Sequence, residues 1–322
     1  MKLKAFLACA AIGYAAFAGG AAAQTYPAQP INLFVPYAAG GATDVIARLL
    51  ATDLSKQLKQ PIVVVNKPGA GTTLAASEVA RSKPDGYSLY MTTAAHTISA
   101  SLYRNLRYDP IKDFAPITLV ARIPIVLVVN PSLKVNTLAE YIAYAKKGGT
   151  GLSVGSPGNG SPQHLASALF QARTGTELLH IPYRGDAPLI NDLLAGSVES
   201  AFITLSAALP HIQSKGLRAI ALANPTRINA IPDVPTMTEA GLDGFSAATW
   251  FGLFGPAGID ASVQSTLHQA SSKVITTPEF TQRIENMGGQ IANLGPDEFR
   301  DYVKAESEQW AKAVEVSGAR VD

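Results

Sequence analysis

The chain has 322 residues, 47% of them hydrophobic, with 26 basic residues, 24 acidic ones and a single cysteine. The two surplus bases, Lys2 and Lys4, and the cysteine, Cys9, all lie in the first 23 residues, so the remaining 299 carry 24 charges of each sign and no thiol. That balance excludes the electrostatic footprint of a nucleic-acid or anionic-membrane binder, and a thiol-free chain has neither a disulfide framework nor a thiolate metal site.

Residues 1–23 read as a secretory signal peptide. Lys2 and Lys4 begin it, Ala5 to Ala18 form its apolar run, and Ala21-Ala22-Ala23 supplies small residues before a cut ahead of Gln24. Only four apolar residues precede Cys9, too few for a lipoprotein leader. The remainder has no stretch long enough to span a bilayer, so the expectation is a soluble periplasmic protein. Its length suits two lobes better than one core.

Strand-like and helix-like patterns alternate from there on, which predicts an α/β fold with a mainly parallel sheet in each lobe. Ile31 to Val35 is a strand running into Pro36, Tyr37, Ala38, Ala39, Gly40 and Gly41. A helix follows, with Ile46, Leu49, Leu50, Leu54 and Leu58 on one face. A strand, a small-residue turn and a helix N-terminus make a place where backbone N–H groups can meet a carboxylate or phosphate. Asp44, one turn into that helix, suits the positive end of the dipole and could also hold a water or a ligand amine. Ile62 to Val65, a continuous apolar run, predicts a strand covered on both faces. Pro68-Gly69-Ala70-Gly71 turns into a helix bearing Leu74 and Val79, and Tyr87 to Met91 is a strand ending at Thr92 and Thr93.

Ile117 to Val129, interrupted by Pro124, and Leu217 to Leu222 read as two crossings between lobes. They divide the chain into residues 24–122 plus 222–322 in one lobe and 123–221 in the other. Leu152 to Val154 leads into a second small-residue turn, Ser156-Pro157-Gly158-Asn159-Gly160-Ser161, with Ser161 and Pro162 as N-cap and first helical residue. Leu165, Leu169 and Phe170 give that helix its buried stripe. His164 lies near its start, either as a packed polar residue or at a site. Tyr183 and Arg184 follow the strand Leu178 to Ile181, where the tyrosine could wall a pocket and the arginine could pair with a carboxylate. Thr204 and Ser206 sit beyond the strand Val198 to Ile203 and could donate hydroxyls to a ligand, as could Thr93, placed similarly in the first lobe. The last helix, Pro296 to about Val316, buries Phe299, Val303, Trp310 and Val314. Two anion-suited turns on opposite lobes could grip one ligand, at the carboxyl ends of strands where α/β sheets bind.

Enzyme signatures are weaker. Gly151-Leu152-Ser153-Val154-Gly155 spells G-x-S-x-G, but Ser153 lies within a strand rather than on the sharp turn that a nucleophile requires. No glycine turn completes a dinucleotide or Walker fingerprint, and the five histidines have no ligand spacing, so neither cofactor nor metal is expected.

The segments VPYAAGGATDVIARLLA, VVVNKPGAGTTLAASEVARSKPDGYSL, VGSPGNGSPQHLASALF, HIPYRGDAPLINDLLAGSVESAF and DVPTMTEAGLDGF resemble, in order, the tripartite tricarboxylate transporter substrate-binding proteins, the TctC or Bug (Bordetella uptake gene) family. The resemblance covers essentially the whole chain after the leader. It implies a two-lobed, type II-like Venus-flytrap receptor in the periplasm, monomeric, which closes on a small carboxylate by hinge motion near Pro124 and Leu222 and delivers it to the membrane permease subunits of a tripartite transporter. Carried over by position, Tyr37, Ala39, Gly40 and Gly41 serve one side of the ligand, and Ser156, Gly158, Asn159, Gly160 and Ser161 the other. Glu199 and Ser200 stand where the family often has an aspartate. Tyr37 and Trp250 leave room for an aromatic ligand. The other readings open to the sequence are an exported small-ester hydrolase and a solute sensor feeding a signalling partner.

Overall fold

The computed structural model describes residues 26–147 and 151–317; the expected leader, residues 1–23, lies outside them. The first lobe opens with β1 (Ile31–Val35), α1 (Ala42–Leu58), β2 (Ile62–Asn66), α2 (Thr73–Ala80), β3 (Ser88–Thr92) and α3 (Ala95–Leu102). A 16-residue strand, β4 (Phe114–Val129), leads into the second lobe. That lobe holds α4 (Leu138–Lys147), β5 (Leu152–Ser156), α5 (Pro162–Thr174), β6 (Leu178–Pro182), α6 (Asp186–Ala195), β7 (Ser200–Thr204), α7 (Leu205–Gln213) and β8 (Arg218–Ala223). The chain then returns to the first lobe through β9 (Ala248–Pro256), α8 (Ala261–Ile275), α9 (Pro278–Asn286), β10 (Gln290–Leu294) and α10 (Pro296–Ser317).

The local patterns act as their periods dictate. In β1 the alternate residues Ile31, Leu33 and Val35 are buried, and in α1 the stripe Ile46, Leu50 and Leu54 faces the core. Parallel pairing joins β2, β1 and β3 in one lobe and β6, β5 and β7 in the other, each linked through a helix. The pairs that involve β4 and β9 are antiparallel, so each sheet is mixed rather than mainly parallel. In the first lobe the cause is β9, which returns from the second lobe and inserts between β3 and β4; in the second it is β4, which runs antiparallel to β7 and β8. The apolar run in β2 is not covered on both faces either. It forms the sheet edge, and Val63 is 47% exposed. Leu74, on α2, is exposed as well, whereas Val79 is buried.

β4 belongs to both lobes. It pairs with β9 as far as Pro124 and with β7 and β8 from Ile125 onward. Pro124 has no N–H to donate and so sits where the pairing changes hands. The return differs from expectation: Leu217 to Leu222 does not cross. β8 stays paired with the second half of β4, and Met237, Phe245 and Ala247 pack with Phe170 and Phe202 in the second lobe's core. The chain returns at Ala247, whose N–H donates to the Ala223 carbonyl (3.0 Å), and Ala248, which pairs with Pro124. The stretch after β8 contains no regular strand, yet its apolar residues need the second lobe's core.

The largest apolar cluster follows one face of β4, through Ile117, Ile123, Val126 and Val128, from one lobe into the other. A further cluster joins Trp250, Phe254 and Phe299 to Leu165 of α5, so α10 and its surroundings also reach the second lobe.

Candidate functional site

The lobes meet around a cavity of about 390 Å3, within the range of small-ligand sites. It lies at the carboxyl ends of β1, β2, β5 and β6. The first lobe contributes Pro36, Tyr37, the loop Gly69 to Thr72, and Tyr103; the second contributes Pro157, Gly158, Asn159, Ser161, Pro182, Tyr183 and Arg184. Of the residues expected at a site, the structure therefore gathers Tyr37, Gly158, Asn159, Ser161, Tyr183 and Arg184 on one cavity.

The loop after β1 is arranged differently from expectation. Three of its amides are already taken: Ala38 donates to the Arg184 carbonyl (2.9 Å), Gly40 to Asp44 Oδ2 (2.8 Å) and Ala42 to Asp186 Oδ2 (3.1 Å). The carboxylate at the positive end of α1 is thus the protein's own, carried across from the start of α6. Gly41 packs against Asp186, and Ala39 and Gly40 are exposed, with Gly40 facing a second interlobe cavity that Ser206 also lines. Asp186 is only 5% exposed. Burial pushes its pKa up to about 6, although the Ala42 amide favours the charged form. Asp44 is a structural acid. Burial raises its pKa, but hydrogen bonds from Arg48, the Gly40 amide and Asn66 outweigh burial and leave it lowered.

Tyr37 is held by a 2.9 Å hydrogen bond between its hydroxyl and Thr93 Oγ1, which places Thr93 behind the cavity wall. The loop after β5 is braced from behind in a similar way. Ser161 caps α5, its Oγ accepting from the His164 amide (3.1 Å). Ser156 Oγ lies 2.7 Å from His180 Nε2, and the Gly160 amide donates to His164 Nδ1 (3.3 Å). The two imidazoles stack at 4.2 Å. Burial lowers His164 to about 4; burial and the neighbouring His164 lower His180 to about 3. Thr204 is buried away from the cavity, its Oγ1 accepting from Gln163 (2.7 Å).

Ser156 and His180 have the spacing of a nucleophile and its base, but not the rest of that machinery. Ser156 is fully buried, and a base with a pKa near 3 takes a proton poorly at neutral pH. Ser153 lies inside β5, where its Oγ donates to Glu199 (2.9 Å). Ser200 is bonded to Tyr141 and the Ser153 carbonyl within the second lobe. Trp250, which left room for an aromatic ligand, is a core residue donating to Glu306 (2.9 Å).

Residues 46–318 match the family model described as the tripartite tricarboxylate transporter family receptor. The chain belongs to this family. Protein BugT of Bordetella pertussis is 35% identical over 96% of both chains. Among solved structures, the periplasmic binding protein BugD is 34% identical with a TM-score of 0.89, covering 92% of this chain and 99% of that one. An R. palustris protein solved with adipate is 32% identical, also at 0.89, covering 92% of this chain and 100% of that one. In this receptor, no helix among the described residues is long and apolar enough to cross a membrane, and no group of three His, Cys, Asp or Glu there could hold a metal.

Sequence reasoning missed the loop Gly69 to Thr72, Tyr103 and Asp186. The first had a signal, since Pro68-Gly69-Ala70-Gly71 repeats the strand, small-residue turn and helix of the other two loops. Asp186 had a fainter one, as an acid opening a helix directly after Gly185. Tyr103 had none.

Proposed function

We propose that this receptor captures a small carboxylate between its lobes in the periplasm, as a monomer exported through residues 1–23, and hands it to the membrane subunits of a tripartite transporter. The observation that carries the reading is an interlobe cavity in which, among the described residues, Arg184 is the one charged lining residue, an exposed cation with no acidic partner there. Adipate in a relative of the same fold accords with it.

In this reading Arg184 pairs with the carboxylate, Asn159 and Ser161 offer polar contacts, and Tyr37, Tyr183 and Gly158 shape the walls. Thr93, Ser156, Gly160 and His164 hold those residues from behind. Ala39, Gly40, Gly41, Asp44 and Thr204 serve the fold and the lobe contact. Among the described residues the lobes comprise 26–124 plus 248–317, and 125–247, the chain crossing at Pro124–Ile125 and Ala247–Ala248. Ligand bound to both lobes favours the closed state by its differential affinity for closed over open.

Thermal unfolding against a panel of mono-, di- and tricarboxylic acids tests the reading. A ligand at a hundred times its dissociation constant stabilises by about 2.7 kcal/mol, a shift of several degrees at roughly 2–4 °C per kcal/mol. Arg184→Gln should abolish that shift. A panel that leaves melting unchanged refutes carboxylate capture, and turnover of small esters would favour the hydrolase reading.

A further inference from the structure

Beside the ligand cavity the seam between the lobes holds a buried acid, and it bears on closure itself, given that the lobes open and close as proposed above. Asp186 opens α6 in the second lobe, and its carboxylate crosses to the first. Oδ2 accepts from the Ala42 amide (3.1 Å), and a Cβ on Gly41 would lie 3.4 Å from the same oxygen. Next to it the Ala38 amide donates to the Arg184 carbonyl (2.9 Å), and a Cβ on Gly185 would stand 3.2 Å from the Ala38 nitrogen. Backbone of the first lobe therefore lies directly on the carboxylate. Asp186 is 5% exposed although it sits at the boundary of the lobes and belongs to neither core. Parting the lobes takes Gly41 and Ala42 away from it and admits water.

The closed contact serves an ionised carboxylate poorly. Oδ1 is buried and has no hydrogen-bond partner among the described residues. Two backbone amides, of Ala42 and Thr204, favour the charged form, but burial outweighs them and pushes the pKa up to about 6. No ion pair among the described residues includes Asp186. On α1, Asp44 is itself an acid and is tied to Arg48 (2.9 Å). In the loop after β1, burial raises the Tyr37 hydroxyl and Asp186 adds to this, so Tyr37 stays neutral. In the turn before α6, Arg184 is exposed and lines the ligand cavity. Farther along α6, Asp192 accepts from Tyr183 (2.7 Å). On α7, His211 is the one titratable side chain that lines the second interlobe cavity with Ala42 and Ala187. The stacked His164 and His180 titrate lower, at about 4 and 3. A carboxyl group desolvated without a cation prefers its neutral form, and the neutral group still accepts from Ala42.

We infer that Asp186 couples closure of the lobes to the uptake of a proton, so that acid favours the closed form and, with it, tighter ligand binding. Opening returns the carboxyl to water, where it ionises as an ordinary aspartate. The closed form therefore gains as pH falls through its own pKa and loses as pH rises through it. With a pKa of about 6 closed against 3.8 in water, the closed-to-open ratio rises about tenfold from pH 7 to pH 5. A ligand held only by the closed form gains affinity in proportion to the closed fraction.

Small-angle X-ray scattering on the protein lacking its leader, without ligand, tests this between pH 7 and pH 5. The radius of gyration of the native protein should fall with pH as the lobes close. Asp186→Asn, and Asp186→Ser as a second neutral variant, should show the same radius at both pH values, while His211→Gln should keep the native change. A native radius that does not respond to pH, a response that survives in either neutral variant, or its loss in His211→Gln overturns the inference. The panel of acids at pH 7 judges the carboxylate reading separately. Flat scattering with a melting shift removes only the proton-linked closure, and pH-dependent scattering with a flat panel removes only carboxylate capture.

Discussion

Asp186→Asn removes a charge from the contact between lobes while keeping the shape of the side chain and an oxygen to accept from Ala42. The carboxyl of Asp186 has a pKa of about 6 in the folded protein, against 3.8 for an ordinary aspartate, chiefly because it is buried. A raised acid pKa means that folding favours the protonated form, so the native protein loses stability as pH rises from the unfolded value through the folded one. A shift of about 2 units at 1.36 kcal/mol each puts the full cost near 3 kcal/mol. Some of that cost has already set in at pH 4, so about 2–3 kcal/mol separates pH 4 from pH 7. The asparagine variant has no such titration. Its stability relative to the native protein should therefore rise by about 2–3 kcal/mol between those pH values, whatever constant offset its unpaired NH2 imposes. In melting temperature this is roughly 5 °C at about 2 °C per kcal/mol. Urea unfolding of both proteins across a pH series, without added ligand, gives the difference directly. A difference that stays constant from pH 4 to pH 7, or one that falls, refutes the buried ionised contact.

The remaining predictions concern the cavity's edges. Gly71→Ala places a methyl group that would overlap the Tyr103 hydroxyl and lie 2.6 Å from the Asn159 carbonyl, at a φ of +56°. It should lower ligand affinity by about a hundredfold, or 2.7 kcal/mol, measured by calorimetry, with Tyr103→Phe recovering part of the loss in the double variant. For the stacked histidines the sign is opposite to that of Asp186. Their folded pKa values lie below 6.5, so the stability they confer is present above 6.5 and is lost as pH falls toward 4. His164→Phe keeps an aromatic ring in the stack and should lose less stability than the native protein over that interval, as read from pH-dependent melting. Arg184→Gln, beyond abolishing the acid-induced shift, should leave the melting temperature without ligand within about 1 °C of native, because surface substitutions away from a built network change stability by about 0.5 kcal/mol or less.

Much of the fold was legible because its elements obey their periods. Ile31, Leu33 and Val35 alternate, Ile46, Leu50 and Leu54 recur every fourth residue, and Ser161-Pro162 announces the start of a helix. The strand Ala248–Pro256 was not legible. It is buried almost throughout, so it has no alternation to detect, and Gly252 and Gly255 interrupt its apolar run. Those glycines are there for packing: a Cβ on Gly252 would run into Phe299, and one on Gly255 would crowd Ile259. The edge position of β2 was equally hidden, since an apolar run does not say whether a neighbour lies beyond it. The turn at residues 156–161 could be placed at the site because strand, turn and helix are contiguous in sequence. The fate of the first turn could not be read, because the group that fills the positive end of α1 comes from Asp186, 144 residues away. Nor did any motif mark Ala70 and Thr72, two ordinary residues held in conformations that glycine prefers.

The three strand-to-helix loops thus divide the work in a way that their similar sequences do not suggest. The loop after β1 touches the other lobe: the Arg184 carbonyl accepts from the Ala38 amide and Asp186 from that of Ala42, contacts that need no ligand. The loop after β5 is fixed from within its own lobe by Ser156, His164 and His180, which makes it a rigid face. The loop after β2 lines the cavity with four consecutive residues of positive φ, Gly69 to Thr72. A ligand shifts the balance of open and closed forms only by what it gains in one over the other. Contacts common to all ligands set the base level of closure, and discrimination among acids must come from groups whose partners depend on the ligand. In the carboxylate reading Arg184, which lines the cavity from the second lobe, is such a group, so an acid that leaves it unmet gains less on closure.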